Sequence, residues 1–151
     1  MICYGGEMSR ALLLFASLFC APAALAWETR SEALCVLEHS EAAADVRLTY
    51  DPGSKIYAIA ITPSKAWRRY PVFAIRFEGP RSLTISTGRH VISDGGTTLT
   101  VSDAGFGNVL NGLEFNRTAT ALLGDQAVKV SLDGAAPAVQ DFRDCTSGLR
   151  A

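Results

Sequence analysis

The chain has 151 residues, 14 basic against 15 acidic side chains, a net charge of −1 and 48% hydrophobic residues. That length suits one domain with a real core, and the balanced charge, with no basic cluster larger than Arg68-Arg69, gives no footprint for nucleic acid or an anionic membrane surface. Two histidines and four cysteines, without C-x-x-C or H-x-x-H spacing, do not form the usual zinc motifs.

The N-terminal region reads as an export signal. Met8-Ser9-Arg10 supplies a positive start, Ala11 to Phe19 is apolar apart from Ser17, and Ala24-Leu25-Ala26 is a small-x-small cleavage site. Cleavage after Ala26 makes Trp27 the first mature residue. Residues 1–7 (MICYGGE) lack a signal-like charge pattern and read as a start-site extension, 8–26 as the signal peptide and 27–151 as one mature β-rich domain. The apolar run is too short to span a bilayer comfortably, and no second one follows, so no stable membrane span is expected after signal removal. Cys20 would be a lipid site only with a small residue before it. Phe19 stands there, so Cys20 falls with the removed peptide, as does Cys3. Cys35 and Cys145 remain, an even count that in an oxidising compartment reads as a disulfide. Its loop of about 110 residues would contribute up to ~4–5 kcal/mol in the chain-entropy model.

The mature region is dominated by period-two alternation. Leu34 to Glu38 is expected as a first strand. Val46, Leu48 and Tyr50 alternate with Arg47 and Thr49, the turn Asp51-Pro52-Gly53-Ser54 follows, and Ile56 to Ile61 returns as the second arm of a hairpin. Pro63 through Pro71 is a connection. Val72 to Phe77 is a strong strand whose near-continuous apolarity suggests burial on both faces. Leu83 to Ser86 and Arg89 to Ile92 are short strands around Thr87-Gly88, and Asp94-Gly95-Gly96 turns the chain into Thr97 to Val101. Asn108 to Gly124 fits neither period cleanly; a helix is expected over Arg117 to Leu123, with Asn116 as N-cap and Gly124 just past its end. Ala127 to Leu132 is a strand. Pro137 suits a first helical turn, and Val139, Phe142 and Cys145 would share one face of a C-terminal helix that carries Cys145 to Cys35. Short strands with turn signals every eight to twelve residues indicate a mainly β domain, an antiparallel sandwich or barrel, with a short C-terminal helix and one disulfide.

Chemistry-bearing residues are sparse. His39 and His90 are the only histidines; His90 lies near Ser93 and Asp94 in sequence, without a G-x-S-x-G elbow. Asp94, Asp103, Glu114 and Asp125 have no calcium-loop spacing. Gly105-Phe106-Gly107-Asn108 lacks the third glycine and the βαβ context of a phosphate loop. Asn116-Arg117-Thr118 matches a glycosylation sequon, which matters only in a host with an endoplasmic reticulum. No catalytic residue, metal site or cofactor is assigned. The contact segment is Trp67-Arg68-Arg69-Tyr70, because aromatic and arginine side chains are enriched at binding hot spots; the bland alternative folds Trp67 and Tyr70 back onto the sheet edge and leaves the arginines solvated.

Three stretches, VFAIRFEGPRSLTISTGRH, GFGNVLNGLEF and SLDGAAPAVQDFRDC, resemble a group of small exported alphaproteobacterial proteins of unknown function. Some of these carry an automatic label as the helicase-like component of the excinuclease ABC. That label does not fit these residues: there is no G-x-x-x-x-G-K-[ST] loop, no room for helicase domains and no basic face. The resemblance implies a Gram-negative periplasm, supports the disulfide and supplies no catalytic residues. The expected function is a non-enzymatic envelope module binding a protein or cell-wall component, with Trp67, Arg68, Arg69 and Tyr70 exposed together. The alternative is a small hydrolase or ligand carrier with a pocket near His90 and Asp94.

Overall fold

Alternation along the chain becomes two antiparallel sheets facing each other across one core. The computed structural model describes residues 26–148, so the proposed extension and all of the signal peptide but Ala26 lie outside the described residues, as do Cys3 and Cys20. Among the described residues ten strands run in chain order: β1 Glu28–Ser31, β2 Cys35–Ser40, β3 Ala44–Asp51, β4 Ile56–Pro63, β5 Phe73–Glu78, β6 Leu83–Thr87, β7 Val91–Ser93, β8 Thr98–Asp103, β9 Thr118–Leu123 and β10 Gln126–Ser131. Helix α1 is Gly107–Phe115 and α2 is Ala135–Thr146. One sheet has the order β1-β2-β3-β4-β8-β7 and the other β10-β9-β5-β6.

The first sheet is built on the predicted hairpin. β3 and β4 pair from Ala44↔Pro63 to Asp51↔Ile56, so Val46, Leu48, Ile59 and Ile61 fall on one face and are buried. Asp45 and Arg47 alternate with them and are exposed, the pattern of a strand with one dry and one wet face. The turn is closed by the Asp51 carboxylate, which accepts the Gly53 amide at 2.8 Å, and Lys55 takes φ 59°. β5, β9 and β10 bring Ile75, Phe77, Ala119, Ala121 and Val130 against that face. The two sets meet around a residual gap of about 20 Å³, roughly the space of one water.

Several expectations are corrected. The segment expected as a helix forms strand β9, Thr118–Leu123, instead. Its two edges pair with both β5 and β10, and this ladder suits the β-branched Thr118 and Thr120 better than a helix would. The helix lies one segment earlier, as α1, and Asn116 follows its C-terminus instead of opening one. The Asn116 amide donates to the Gly112 carbonyl at 3.0 Å and to the Arg81 carbonyl at 2.8 Å, while its oxygen accepts the Arg81 amide. Gly112 is where α1 touches the sheet: a Cβ there would stand 2.4 Å from the Phe77 ring. β5 is buried on one face only, since Arg76 and Val72 are exposed while Phe73, Ile75 and Phe77 are buried. Arg76 pairs with Glu78 at 2.7 Å on the wet face. β6 and β7 belong to different sheets, the chain crossing between them at 88–90. β1, which the sequence pattern did not reveal, pairs with β2 from Glu28↔Glu38 to Ser31↔Cys35.

The C-terminal helix forms as expected. Ala138, Val139 and Phe142 are buried, α2 packs on β1 and β2, and Cys145 bonds Cys35 with Cα atoms 5.9 Å apart. Cys35 is deeply buried, and Cys145 is partly buried against the core. Among the described residues no helix is long and apolar enough to cross a membrane.

Candidate functional site

Trp67 does not belong to an exposed tetrad. Its indole is 4% exposed, donates to the Ile61 carbonyl at 3.0 Å and meets Phe73 edge-on at 6.4 Å between centroids. A buried indole needs an acceptor for its N–H, and the end of β4 supplies one. Arg68, Arg69 and Tyr70 are exposed. Arg68 reaches Asp125 at 2.8 Å in a solvated pair, and Gln126 straps the segment by accepting the Arg68 amide and donating to the Ala66 carbonyl. The Tyr70 ring rests against Gly124, where an added Cβ would come within 3.0 Å of it.

Among the described residues neither histidine sits in a triad arrangement. His90 Nε2 donates to the Tyr70 carbonyl at 2.9 Å, its ring lies 6.1 Å from that of Phe73, and Nδ1 is buried without a protein partner. The Asp94 side chain lies outside what the structure describes. His39 is buried and stacks on Trp27 at 4.6 Å. Its Nε2 donates to Glu41 at 2.7 Å, and the same carboxylate oxygen accepts the Ser131 amide at 3.2 Å, so this histidine braces the end of the sandwich. Asp103, Glu114 and Asp125 are dispersed, on Arg89, Arg143 and Arg68 respectively. Among the described residues no three His, Cys, Asp or Glu side chains gather as a metal site.

A shallow hollow of about 360 Å³ lies at Arg68, Arg69, Tyr70 and Asp125, and a more enclosed cavity lies where the two sheets part. β6 ends the second sheet, and β8 is followed in its sheet only by the three-residue β7. Between β6 and β8 opens a cleft of about 430 Å³, a size in the range of small-molecule sites. Ile59 and Val101 form one wall, Phe73, Ile75 and Ile85 the other, and Phe106 with Val109 the floor at the start of α1. The crossing at 88–90 sets Arg89 at the rim, where its guanidinium donates to Asp103 Oδ2 at 3.0 Å. The second Asp103 oxygen accepts the Ala104 amide at 2.7 Å. Gly105, Gly107 and Asn108 complete the rim, and α1 begins there with no side-chain cap and no acidic residue in its first turn. The open amides of that turn, the first of a helix, carry partial positive charge.

Comparison with protein-family models, curated proteins and solved structures finds no match. The site is therefore read from its own chemistry: an apolar slot with an ionic rim at the start of a helix. Arg89, and not His90, lines this cleft. Sequence reasoning singled out residues 105–108 as a weak glycine motif. It missed Ile85, Thr87, Arg89 and Val101, because nothing local distinguishes these from ordinary strand residues.

Proposed function

We propose that this protein is an exported, non-enzymatic binding module of the periplasm whose inter-sheet cleft takes a small, largely apolar ligand. One observation carries the reading: a cleft of about 430 Å³ with apolar walls and a few convergent polar groups at its rim. The signal-like segment, the disulfide and the resemblance to small exported alphaproteobacterial proteins support the location. Titration of the exported, processed protein with decanol, followed by amide chemical shifts, tests the site. Shifts concentrated in β6, β8 and the start of α1, and abolished when Ile85→Trp fills the slot, are the expected result. Shifts scattered over the surface, or none, overturn it.

A second reading is favoured by a different surface. Tyr70 and Val72 are about half exposed, at 53% and 50%, beside the exposed Arg68 and Arg69, and large apolar side chains next to arginine are the composition of a protein contact. Crosslinking in the native host would show one saturable envelope partner that is lost in the R68A/R69A/Y70A variant. Retention of that partner in the variant removes this surface from consideration.

A further inference from the structure

We propose that the ligand of the inter-sheet cleft is an amphipathic monocarboxylate, its aliphatic chain between the sheets and its carboxylate on the Arg89 guanidinium. This rests on the cleft reading above and adds the ligand's chemical class. The argument begins with the walls. Ile59, Ile75, Ile85 and Val101 offer only hydrocarbon to whatever enters, so the inserted part gains by leaving water and needs no hydrogen bonds there.

The rim decides the head group. Asp103 is already engaged on both oxygens, by Arg89 at 3.0 Å and by the Ala104 amide at 2.7 Å. Arg89 uses one N–H of its fork in that pair. The fork has five donors and matches a carboxylate in two-point geometry. Gly107 and Asn108, at the start of α1, line the same rim, and that helix start has no side-chain cap. The Ser86 and Thr87 hydroxyls and the Asn108 amide at the mouth serve as donor or acceptor; the one cationic group there with spare hydrogen-bonding capacity is the Arg89 fork, a set of donors, and a carboxylate is a group that only accepts. The existing ion pair does not block exchange: its partners are 73% and 44% exposed, and pairs that open to water hold each other weakly. A ligand carboxylate can take up the free side of the guanidinium, or replace Asp103 on it, while its chain fills the slot.

The test is calorimetry on the exported, processed protein with octanoate, decanoate, dodecanoate, decanol and decylamine, all below micelle-forming concentrations. The carboxylates are expected to bind one to one, each added methylene tightening binding about fourfold until the slot is full. Decanoate should bind more tightly than decanol or decylamine. Arg89→Gln should weaken decanoate about fivefold and leave decanol unchanged. Equal affinities for decanoate and decanol, or a preference for decylamine, overturn the carboxylate assignment and leave the apolar cleft standing. Failure of every probe to bind, or unchanged binding to Ile85→Trp, overturns the cleft reading together with it.

Discussion

At the scale of single residues, partner atoms decide what a side chain does, and partners are what a sequence hides. Trp67 reads as a surface hot spot because it neighbours two arginines and a tyrosine. It is core because the Ile61 carbonyl, six positions away, accepts its N–H. Asp51 is the opposite case, legible because its partner is local: an aspartate two residues before a glycine in a turn bonds the glycine amide. The Gly53 amide, and after it the Ser54 hydroxyl, hold the Asp51 carboxyl below the ordinary aspartate range. Its folded-state value is therefore depressed, so its contribution to stability is fully present above the unfolded-state value and is lost as pH falls through the folded one. Asp51→Ala should lower the urea midpoint at neutral pH, and the gap from wild type should narrow as pH falls below the ordinary aspartate range. A gap that stays constant across that range shows that the charged carboxylate does not support the turn.

At the scale of elements, legibility follows how much of an element's stability is its own. β3 alternates buried and exposed over its first five residues, β4 is rich in β-branched and aromatic side chains, and α2 shows the three- and four-residue spacing of Ala135, Ala138, Val139 and Phe142; these could be placed from the sequence. α1 could not. Its nine residues include Gly107, Asn111 and Gly112, poor helix formers, and it has no side-chain cap at its start, so it depends on packing against Phe77 and α2. β9 was misplaced for the converse reason, since its identity comes from two neighbouring strands that its own residues do not announce. The disulfide links a legible strand to a legible helix, which is why it could be anticipated. Replacing Cys35 and Cys145 together by serine should cost about 2–5 kcal/mol, read from chemical denaturation. An unchanged midpoint, or two free thiols by mass spectrometry in protein purified without reductant, contradicts a stabilising bond.

At the scale of the whole molecule, the sandwich is closed at one end and open at another, and both follow from where the chain crosses between sheets. The cleft walls come from β4, β5, β6, β8 and the start of α1, five segments that share no motif, so the cavity could not be seen before the strands were assembled. The closed end is held by the other extreme of the domain. Trp27 stands one residue before β1, in the first sheet. It is 5% exposed, stacks on His39 of the same sheet and donates its indole N–H to the Ser131 carbonyl of β10 at 3.1 Å, in the second. Glu41 makes a parallel link, accepting both His39 and the Ser131 amide. With cleavage after Ala26, as proposed, the first residue of the processed chain becomes the brace between the sheets, and the position of the cleavage site acquires a folding consequence. A chain beginning at Glu28 loses the indole, the stack and the cross-sheet hydrogen bond, while β1 itself is untouched. Removal of a buried tryptophan side chain costs about 3–5 kcal/mol, and Trp27→Ala should match the shortened chain to within about 0.5 kcal/mol, since both delete the same contacts. Urea unfolding of the three proteins decides this. If the chain starting at Glu28 unfolds at the wild-type midpoint, Trp27 does not hold the sheets together at this end and has no structural role.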